Sequence, residues 1–317
     1  MRKKILVTGA SGFVGQLLCQ DLMGLGYEVH ALTRQESHSL PSGVQSIFYT
    51  NLIDLEKFRK CFKECFAVIH LAAKVHVKDD KNIEEYRHVN RDGTVHLANI
   101  AESEGVKRFI YLSTIKVNGD KTVSKPYDVM SRVAPVDAYA VSKWEAEQAL
   151  MRLHENTDMD VTILRPVLMY GPNVKGNLNT LMRIISKRIP LPFAKTANFR
   201  SLLNVRNLNA LICECLVNSK AIGQTFLVAD GVDISTSTLI EKIALSFGKS
   251  SRLFYVPNLL MKFAARIIGK LDIYDRLFGS LQVNTNEMKK VLNWEPPYTI
   301  EDGMDEMTRA FQKSRSK

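Results

Sequence analysis

Residues 3–26, which read KKILVTGASGFVGQLLCQDLMGLG, decide the fold. A short apolar run of the strand type passes directly into Gly9, Gly12 and Gly15, and then into leucines at helical spacing. A helix that begins at such a turn directs its free N–H groups and the positive end of its dipole toward the turn, where they attract phosphate. The stretch therefore predicts a strand, a turn and a helix that bind a phosphate-bearing ligand.

The three glycines have separate expected tasks. Gly9 permits the tight turn, Gly12 lets a pyrophosphate approach the backbone, and Gly15 lets the helix lie close to the strand. Arg34 follows the next strand, where dinucleotide sites bind the adenosine ribose. An acid there suits NAD, whereas an arginine pairs with the extra phosphate of NADP. We expect NADP in preference to NAD; with Arg34 as an ordinary surface residue, NAD is the alternative.

Short strand patterns alternate with helical patterns through the first two thirds of the chain, which is typical of the α/β class. They predict a Rossmann-type doubly wound parallel sheet with a smaller, mostly helical C-terminal substrate-binding domain. The alternation fades after YGPNVKGN, and QTFLVAD is expected to return to the sheet. The domains are therefore predicted to interleave, with dinucleotide binding in 1–172 and 200–232 and substrate binding in 173–199 and 233–317.

Composition excludes several other classes of protein. The 317 residues are 45% hydrophobic, and no apolar run approaches the roughly 20 residues that cross a bilayer, so we expect a cytoplasmic protein. The five cysteines form no C-x-x-C pair, and no metal site is expected. The net charge of +10 comes from scattered basic residues without a nucleic-acid-binding pattern. We expect no specific nucleic-acid partner, and a diphosphate ligand explains the charge equally well.

A second informative segment is DAYAVSKWEAEQAL at 137–150, which predicts a helix with Tyr139 and Lys143 one turn apart on one face. An ammonium beside a phenol favours phenolate and is expected to lower the tyrosine pKa from about 10 toward neutrality, which suits proton transfer. The strand pattern FIYL delivers Ser113 and Thr114 at the end of the sheet where ligands bind. These side chains are expected to converge on the glycine turn.

Further motifs extend along nearly the whole chain: TGASGFVG, NLID, HLAA, YRHVN, LSTIKVNG, YAVSK, LRPVLMYGP, FRSLLNVRNL and VLNWEPPYTIEDGM. With them the sequence resembles the extended short-chain dehydrogenases/reductases, in the NAD(P)-dependent epimerase/dehydratase family that acts on nucleotide sugars. The resemblance implies a catalytic set of Thr114, Tyr139 and Lys143, with Ser113 as the alternative to Thr114. It also implies a homodimer.

The glycine turn, Arg34 and the resemblance together nominate the binding residues. For the cofactor these are Gly9, Ser11, Gly12, Phe13, Val14, Gly15, Arg34, Asn51, Leu52, Leu71, Ala72, Ala73, Asn90, Tyr139, Lys143 and Pro166. For the substrate they are Lys74, Thr114, Asn173, Arg200 and Arg276, of which Arg200 is expected to meet the substrate diphosphate.

The sequence departs from the family pattern at three places. Asn51 replaces the usual acid after the third strand, and Thr33 with Arg34 replaces the acid often found after the second. Asn118, in VNG, stands where sugar epimerases commonly have tyrosine. The sugar contact and the reaction therefore stay open.

The resemblance, with these residues, implies hydride transfer at C4 of a UDP- or dTDP-hexose. Because Arg34 favours NADPH, we expect a 4-keto reductase. The alternative is a 4-epimerase of the UDP-glucose or UDP-GlcNAc type with tightly bound NAD. An alternative of another class is a non-catalytic regulator that senses NADP.

The stretch at 258–279, NLLMKFAARIIGKLDIYDRLFG, is basic and amphipathic. Such a stripe is most simply part of the core. The alternative is peripheral contact with an anionic membrane, which would suit a lipid-linked sugar substrate.

Overall fold

A parallel sheet organises the computed structural model, which describes residues 2–34, 40–49, 51–75 and 82–315. The strands are β1 (Lys4–Thr8), β2 (Glu28–Thr33), β3 (Gln45–Phe48), β4 (Cys65–His70), β5 (Arg108–Leu112), β6 (Asp160–Pro166), β7 (Leu168–Tyr170), β8 (Arg200–Asn204), β9 (Thr225–Val228) and β10 (Asp233–Ile234). The helices are α1 (Gly15–Gly24), α2 (Ile83–Tyr86), α3 (Gly93–Ser103), α4 (Ala138–Asn156), α5 (Gly176–Ser186), α6 (Val205–Val217), α7 (Thr236–Ser246), α8 (Asn258–Ile267), α9 (Leu271–Phe278), α10 (Asn286–Leu292) and α11 (Ile300–Arg315).

Seven strands lie in the order β3-β2-β1-β4-β5-β6-β9, and every neighbouring pair is parallel. The strand order reverses between β1 and β4, and ligands of such sheets bind in the crevice at the carboxyl ends of the strands around this point. The Rossmann-type α/β fold is thus confirmed. β9 joins the sheet beside β6, as the pattern QTFLVAD predicted.

Helices cover both faces of the sheet, so its strands are apolar on both sides. In β1, Ile5 and Val7 pack on the face covered by α1 and α6, while Leu6 packs on the face covered by α3 and α4. This alternation follows from the period of two in a strand. The YRHVN pattern forms a π-helical segment, Arg87–Asp92, between α2 and α3.

A smaller sheet in the order β10-β8-β7 lies over a third core, which α5, α7 and α11 enclose. β8 begins at Arg200, so this sheet positions a predicted substrate residue. The interleaved division into two domains stays a prediction.

Among the helices in the described ranges, none has the length and apolar character needed to span a bilayer. Across the same ranges, no group of three or more His, Cys, Asp or Glu side chains is placed to hold a metal ion.

Candidate active site

The glycine turn packs too closely to accept side chains. Gly9 has a φ of +68°, and a Cβ on it would lie 2.8 Å from the backbone nitrogen of Ala72. A Cβ on Gly15 would lie 2.6 Å from the Cα of Ala10, and the N–H of Gly12 donates to the carbonyl of Gly9 at 2.9 Å. The glycines therefore let β1, the start of α1 and the loop after β4 meet at the crevice.

The start of α1 fits a dinucleotide diphosphate. Val14 occupies the N-cap position, and no side chain of the described residues caps this end of the helix. Ser11 and Gly12 are exposed in the turn, while Phe13 is half-buried and Val14 is buried. Helical N–H groups left without a side-chain partner are suited to bind phosphate oxygens.

A buried hydrogen-bond chain holds the loop after β4 against the turn. Ala72 N–H donates to the Thr8 hydroxyl at 3.1 Å, and Thr8 lies 2.6 Å from Nδ1 of His70. His70 Nε2 lies 2.8 Å from the Thr94 hydroxyl, which donates to the carbonyl of Asn90 at 2.6 Å. Burial, helped by the charge of Lys143, lowers the pKa of His70 well below its usual value. His70 is therefore neutral, with its proton on Nε2, and every member of the chain is satisfied.

Asn90 joins this loop to the helix that carries Tyr139. Its side-chain oxygen accepts from Lys74 N–H at 2.8 Å, and its amide nitrogen donates to the carbonyl of Lys74 and to the Ser142 hydroxyl, both at 3.0 Å. Ser142 in turn donates to the carbonyl of Tyr139 at 2.8 Å. Because Asn90 is buried and bonded at both ends of its amide, its contribution is to hold the two walls of the crevice together.

Of the two candidate hydroxyls, Thr114 is the one in contact with Tyr139. Thr114 accepts from Lys116 N–H at 3.3 Å, and its side chain forms a hydrogen bond with Tyr139. Ser113 points elsewhere and donates to the buried carboxylate of Glu147. The geometry therefore brings together Thr114 and Tyr139, with Lys143 one turn further along α4.

The lowered pKa expected for Tyr139 is not found in the protein alone. Burial and the nearby Asp137 carboxylate raise the pKa of Tyr139 to about 12, although the hydrogen bond with Thr114 lowers it. Lys143 is itself buried, with Nζ 4.0 Å from the centre of the Tyr111 ring, and burial lowers its pKa to about 7 against the opposing effect of Glu147. The prediction that Lys143 lowers the pKa of Tyr139 is not met in this state, because burial of the phenol dominates and Lys143 is not among the groups that shift it.

Below the site lies a buried ion pair that the sequence patterns did not predict. Arg165 Nη2 lies 2.5 Å from Oε2 of Glu147, and Arg165 Nε lies 3.1 Å from both carboxylate oxygens. Arg165 Nη1 donates to the side-chain oxygen of Asn118 at 3.0 Å. Asn118, which replaces a common family tyrosine, is thus a buried partner of Arg165. The sequence signals that could have indicated this pair were Arg165, at the end of the strand pattern ILRP, and Glu147, within the apolar face of α4.

The adenosine end of the crevice offers a second test of fit. The hydroxyl of Thr33, at the end of β2, is buried and has no hydrogen-bond partner among the residues described. Arg34 is exposed. Burial raises the pKa of Tyr49, and the positive charge of Arg34 opposes this by lowering it. Asn51 Nδ2 lies 3.1 Å from Nε2 of His88. A buried, unpaired hydroxyl at this point suits a ribose hydroxyl, which NAD and NADP share in this region.

Arg200 and Arg276 are brought together on the substrate side. Arg200 Nη1 donates to the carbonyls of Arg276 at 3.0 Å and Gly279 at 3.1 Å. Burial and the positive charge of Arg276 lower the pKa of Arg200. Within the described ranges, neither arginine forms an ion pair with a carboxylate. Two close cations of this kind are suited to a diphosphate.

The remaining nominated residues have varied surroundings. Lys74 Nζ forms an ion pair with Glu85 at 2.6 Å and lies 4.8 Å from the centre of the Tyr86 ring. Asn173 is exposed, with a φ of +63°. Partly or fully buried positions along the crevice strands and their loops are Leu52, Leu71, Ala73 and Pro166.

Comparison with known proteins gives one family. Residues 5–219 match the NAD dependent epimerase/dehydratase family. The whole chain is 41% identical to UDP-glucose 4-epimerase of Vibrio cholerae and covers 98% of it. It is 25% identical to N-acetyl-alpha-D-glucosaminyl-diphospho-ditrans,octacis-undecaprenol 4-epimerase of Escherichia coli O157:H7, over 96% of this chain and 94% of that one.

Solved structures give the same fold. UDP-glucuronic acid 4-epimerase of Bacillus cereus, in complex with NAD, has a TM-score of 0.79 at 22% identity and is matched over 98% of this chain and 96% of that one. The family match spans more than half of the sequence, and the Vibrio relative aligns along all of it. The chain therefore belongs to the NAD dependent epimerase/dehydratase family of enzymes.

Proposed function

We propose that this enzyme is a 4-epimerase of UDP-hexoses that keeps NAD bound through the reaction. One observation carries the proposal: Thr114 contacts Tyr139, and Lys143 lies one turn away, in a chain 41% identical along its length to a UDP-glucose 4-epimerase. The family to which the chain belongs is named for its dependence on NAD. Epimerase was our alternative from the sequence, and the relatives favour it over the 4-keto reductase.

Each member of the set has a task that its position supports. Tyr139 removes the proton of the C4 hydroxyl and later returns one, while Thr114 hydrogen-bonds the same oxygen and holds it in line. Lys143 binds the ribose next to the nicotinamide. A bound nicotinamide would supply the hydride chemistry, removal of a hydride from C4 and its return to the other face of the sugar.

Proton transfer requires the pKa of Tyr139 to fall from about 12 once the site is filled. Lys143, with a pKa of about 7 in the protein alone, supplies more positive charge if hydrogen bonds to a ribose stabilise its ammonium form. A cation brought beside the phenol acts in the same direction. The phenolate form of Tyr139 is then most populated when all parts of the site are assembled.

NAD is the proposed cofactor. The preference for NADP rested on Arg34, which is exposed, and the relatives give it no support. The hydroxyl of Thr33, buried at the end of β2 without a partner among the described residues, supports a hydrogen bond to the adenosine ribose. Arg34 then contributes only general positive charge near the site.

Arg200 and Arg276 are proposed to bind the substrate diphosphate, and Asn173 is a further candidate substrate contact. Because a lipid-linked sugar presents the same diphosphate, it is the second candidate substrate, and the exposed apolar face of α8 favours it. A homodimer and a cytoplasmic location stay predictions.

The test is conversion of UDP-glucose to UDP-galactose by purified enzyme, without added nicotinamide cofactor. UDP-GlcNAc and UDP-glucuronate are assayed in parallel, with Tyr139→Phe as the inactive control. Net consumption of NADPH with a UDP-4-keto-hexose, without interconversion, would instead identify a reductase. NAD binding with no turnover of any of these sugars would favour the regulator.

A further inference from the structure

Helix α8 leaves an apolar stripe uncovered. Leu259 is 82% exposed, Phe263 64% and Ile267 69%, and Leu260 and Ile268 are comparably exposed. These residues follow helical spacing and form one side of α8, while Ala265 is its buried contact. A core helix would bury this stripe, so the simplest expectation from the sequence was wrong.

The charged side chains of α8 itself are all basic. Between residues 242 and 271 the sequence contains no Asp or Glu, and Lys249, Arg252, Lys262, Arg266 and Lys270 follow one another through it. Lys262 and Arg266 lie on α8 and are exposed. An apolar helix face bordered by basic side chains matches a bilayer that has an apolar interior and anionic headgroups.

A second copy of this chain matches the surface less well. In a two-fold contact the same patch meets itself, so α8 would face α8 and bring the two basic borders together. The net charge of +10 adds to that repulsion. Anionic headgroups avoid this conflict, since they attract the same side chains.

We propose that α8 docks the enzyme on an anionic membrane surface, with Leu259, Leu260, Phe263 and Ile267 inserted among the lipids. The location has a consequence for the site. Helix α9 packs on α8, and the carbonyl of its Arg276 accepts a hydrogen bond from Arg200. Docking therefore holds the candidate diphosphate residues beside the membrane, where a diphosphate carried by a lipid is within their reach.

Co-sedimentation of the full chain with vesicles tests the proposal. We expect binding to phosphatidylcholine vesicles that contain phosphatidylglycerol, weakened by salt, and far less binding to phosphatidylcholine alone. Neutralising Lys262 and Arg266 to Gln should weaken binding about 30-fold, at about fivefold per charge. The triple variant Leu260→Gln, Phe263→Gln, Ile267→Gln should lose binding.

The matched control changes three apolar residues of comparable exposure elsewhere, Leu25→Gln, Val217→Gln and Leu245→Gln, and should bind as the wild type does. Failure of the wild type to sediment, or equal binding by the α8 triple variant, would overturn the proposal. So would a change from dimer to monomer in the α8 variant by light scattering, because a second copy would then cover the face. Turnover of UDP-hexose without vesicles should be unchanged in that variant, which separates docking from the proposed reaction.

Discussion

With Glu147 replaced by Gln, the enzyme should unfold at a markedly lower urea concentration. Glu147 and Arg165 are buried, joined by contacts of 2.5, 3.1 and 3.1 Å, and Glu147 also accepts from Ser113. The glutamine keeps the shape but leaves the guanidinium without its charge partner. Breaking one side of a buried pair costs about 3–5 kcal/mol. At about 2 °C or more per kcal/mol, Tm should fall by at least about 6 °C.

Equilibrium urea unfolding followed by circular dichroism measures the change, provided that the m-value is constant. The control is Glu306→Gln, which removes a partner of Arg206 at 2.7 Å in a partly exposed pair and should cost about 0.2–1 kcal/mol. Replacing Glu147 and Arg165 together by Met should cost less than the sum of the single changes, because no charge is left buried. A cost of under about 1 kcal/mol for Glu147→Gln would refute the reasoning, since the guanidinium would then have to be hydrated.

Three further changes test the site. Tyr139→Phe should lower kcat for epimerisation by about 10²–10⁴ while NAD binding, followed by calorimetry, persists; an active variant would remove Tyr139 from proton transfer. Gly9→Ala should destabilise the fold and weaken NAD binding, because the new Cβ would lie 2.8 Å from a backbone nitrogen at a φ of +68°; Gly24→Ala, which meets no atom within 4 Å, is the control and should not weaken either. Burial lowers the pKa of Lys143 to about 7 in the folded protein, so between pH 7 and about 10 only the unfolded chain holds that proton. The free energy of unfolding should therefore rise with pH across this window more in the wild type than in Lys143→Met, measured by urea unfolding; a smaller rise in the wild type would contradict the buried lysine.

Local patterns were sufficient for much of the fold. The turn at Gly9 and its neighbours depends on backbone geometry and close packing, and both are expressed by residues adjacent in the sequence. The strands that alternate with helices have their own periodicity, and β9 kept it after a long excursion of the chain. These elements could be predicted because each signal lies within a short stretch.

The polar partners in the site could not be predicted in this way. Arg165 and Glu147 are 18 residues apart, and His70 reaches Thr8 across 62 residues. Their pairing depends on strand order, which composition does not express. The pKa of Tyr139 depends on how much protein surrounds it, whereas the spacing to Lys143 reveals only that the two share a helix face. The role of Arg34 could not be predicted for the same reason, since its exposure is a property of the folded chain.

The buried hydrogen-bond chain from Ala72 through His70 to Asn90, and on to Ser142, has a mechanical consequence. Each hydroxyl in this hydrogen-bond chain donates one hydrogen bond, so all the bonds run in one direction and no donor is left over. The end of β1, the loop after β4 and the helix that carries Tyr139 are therefore held together as one unit. If the enzyme closes over its sugar, we expect the segment with Arg200 and α9 to move relative to this unit.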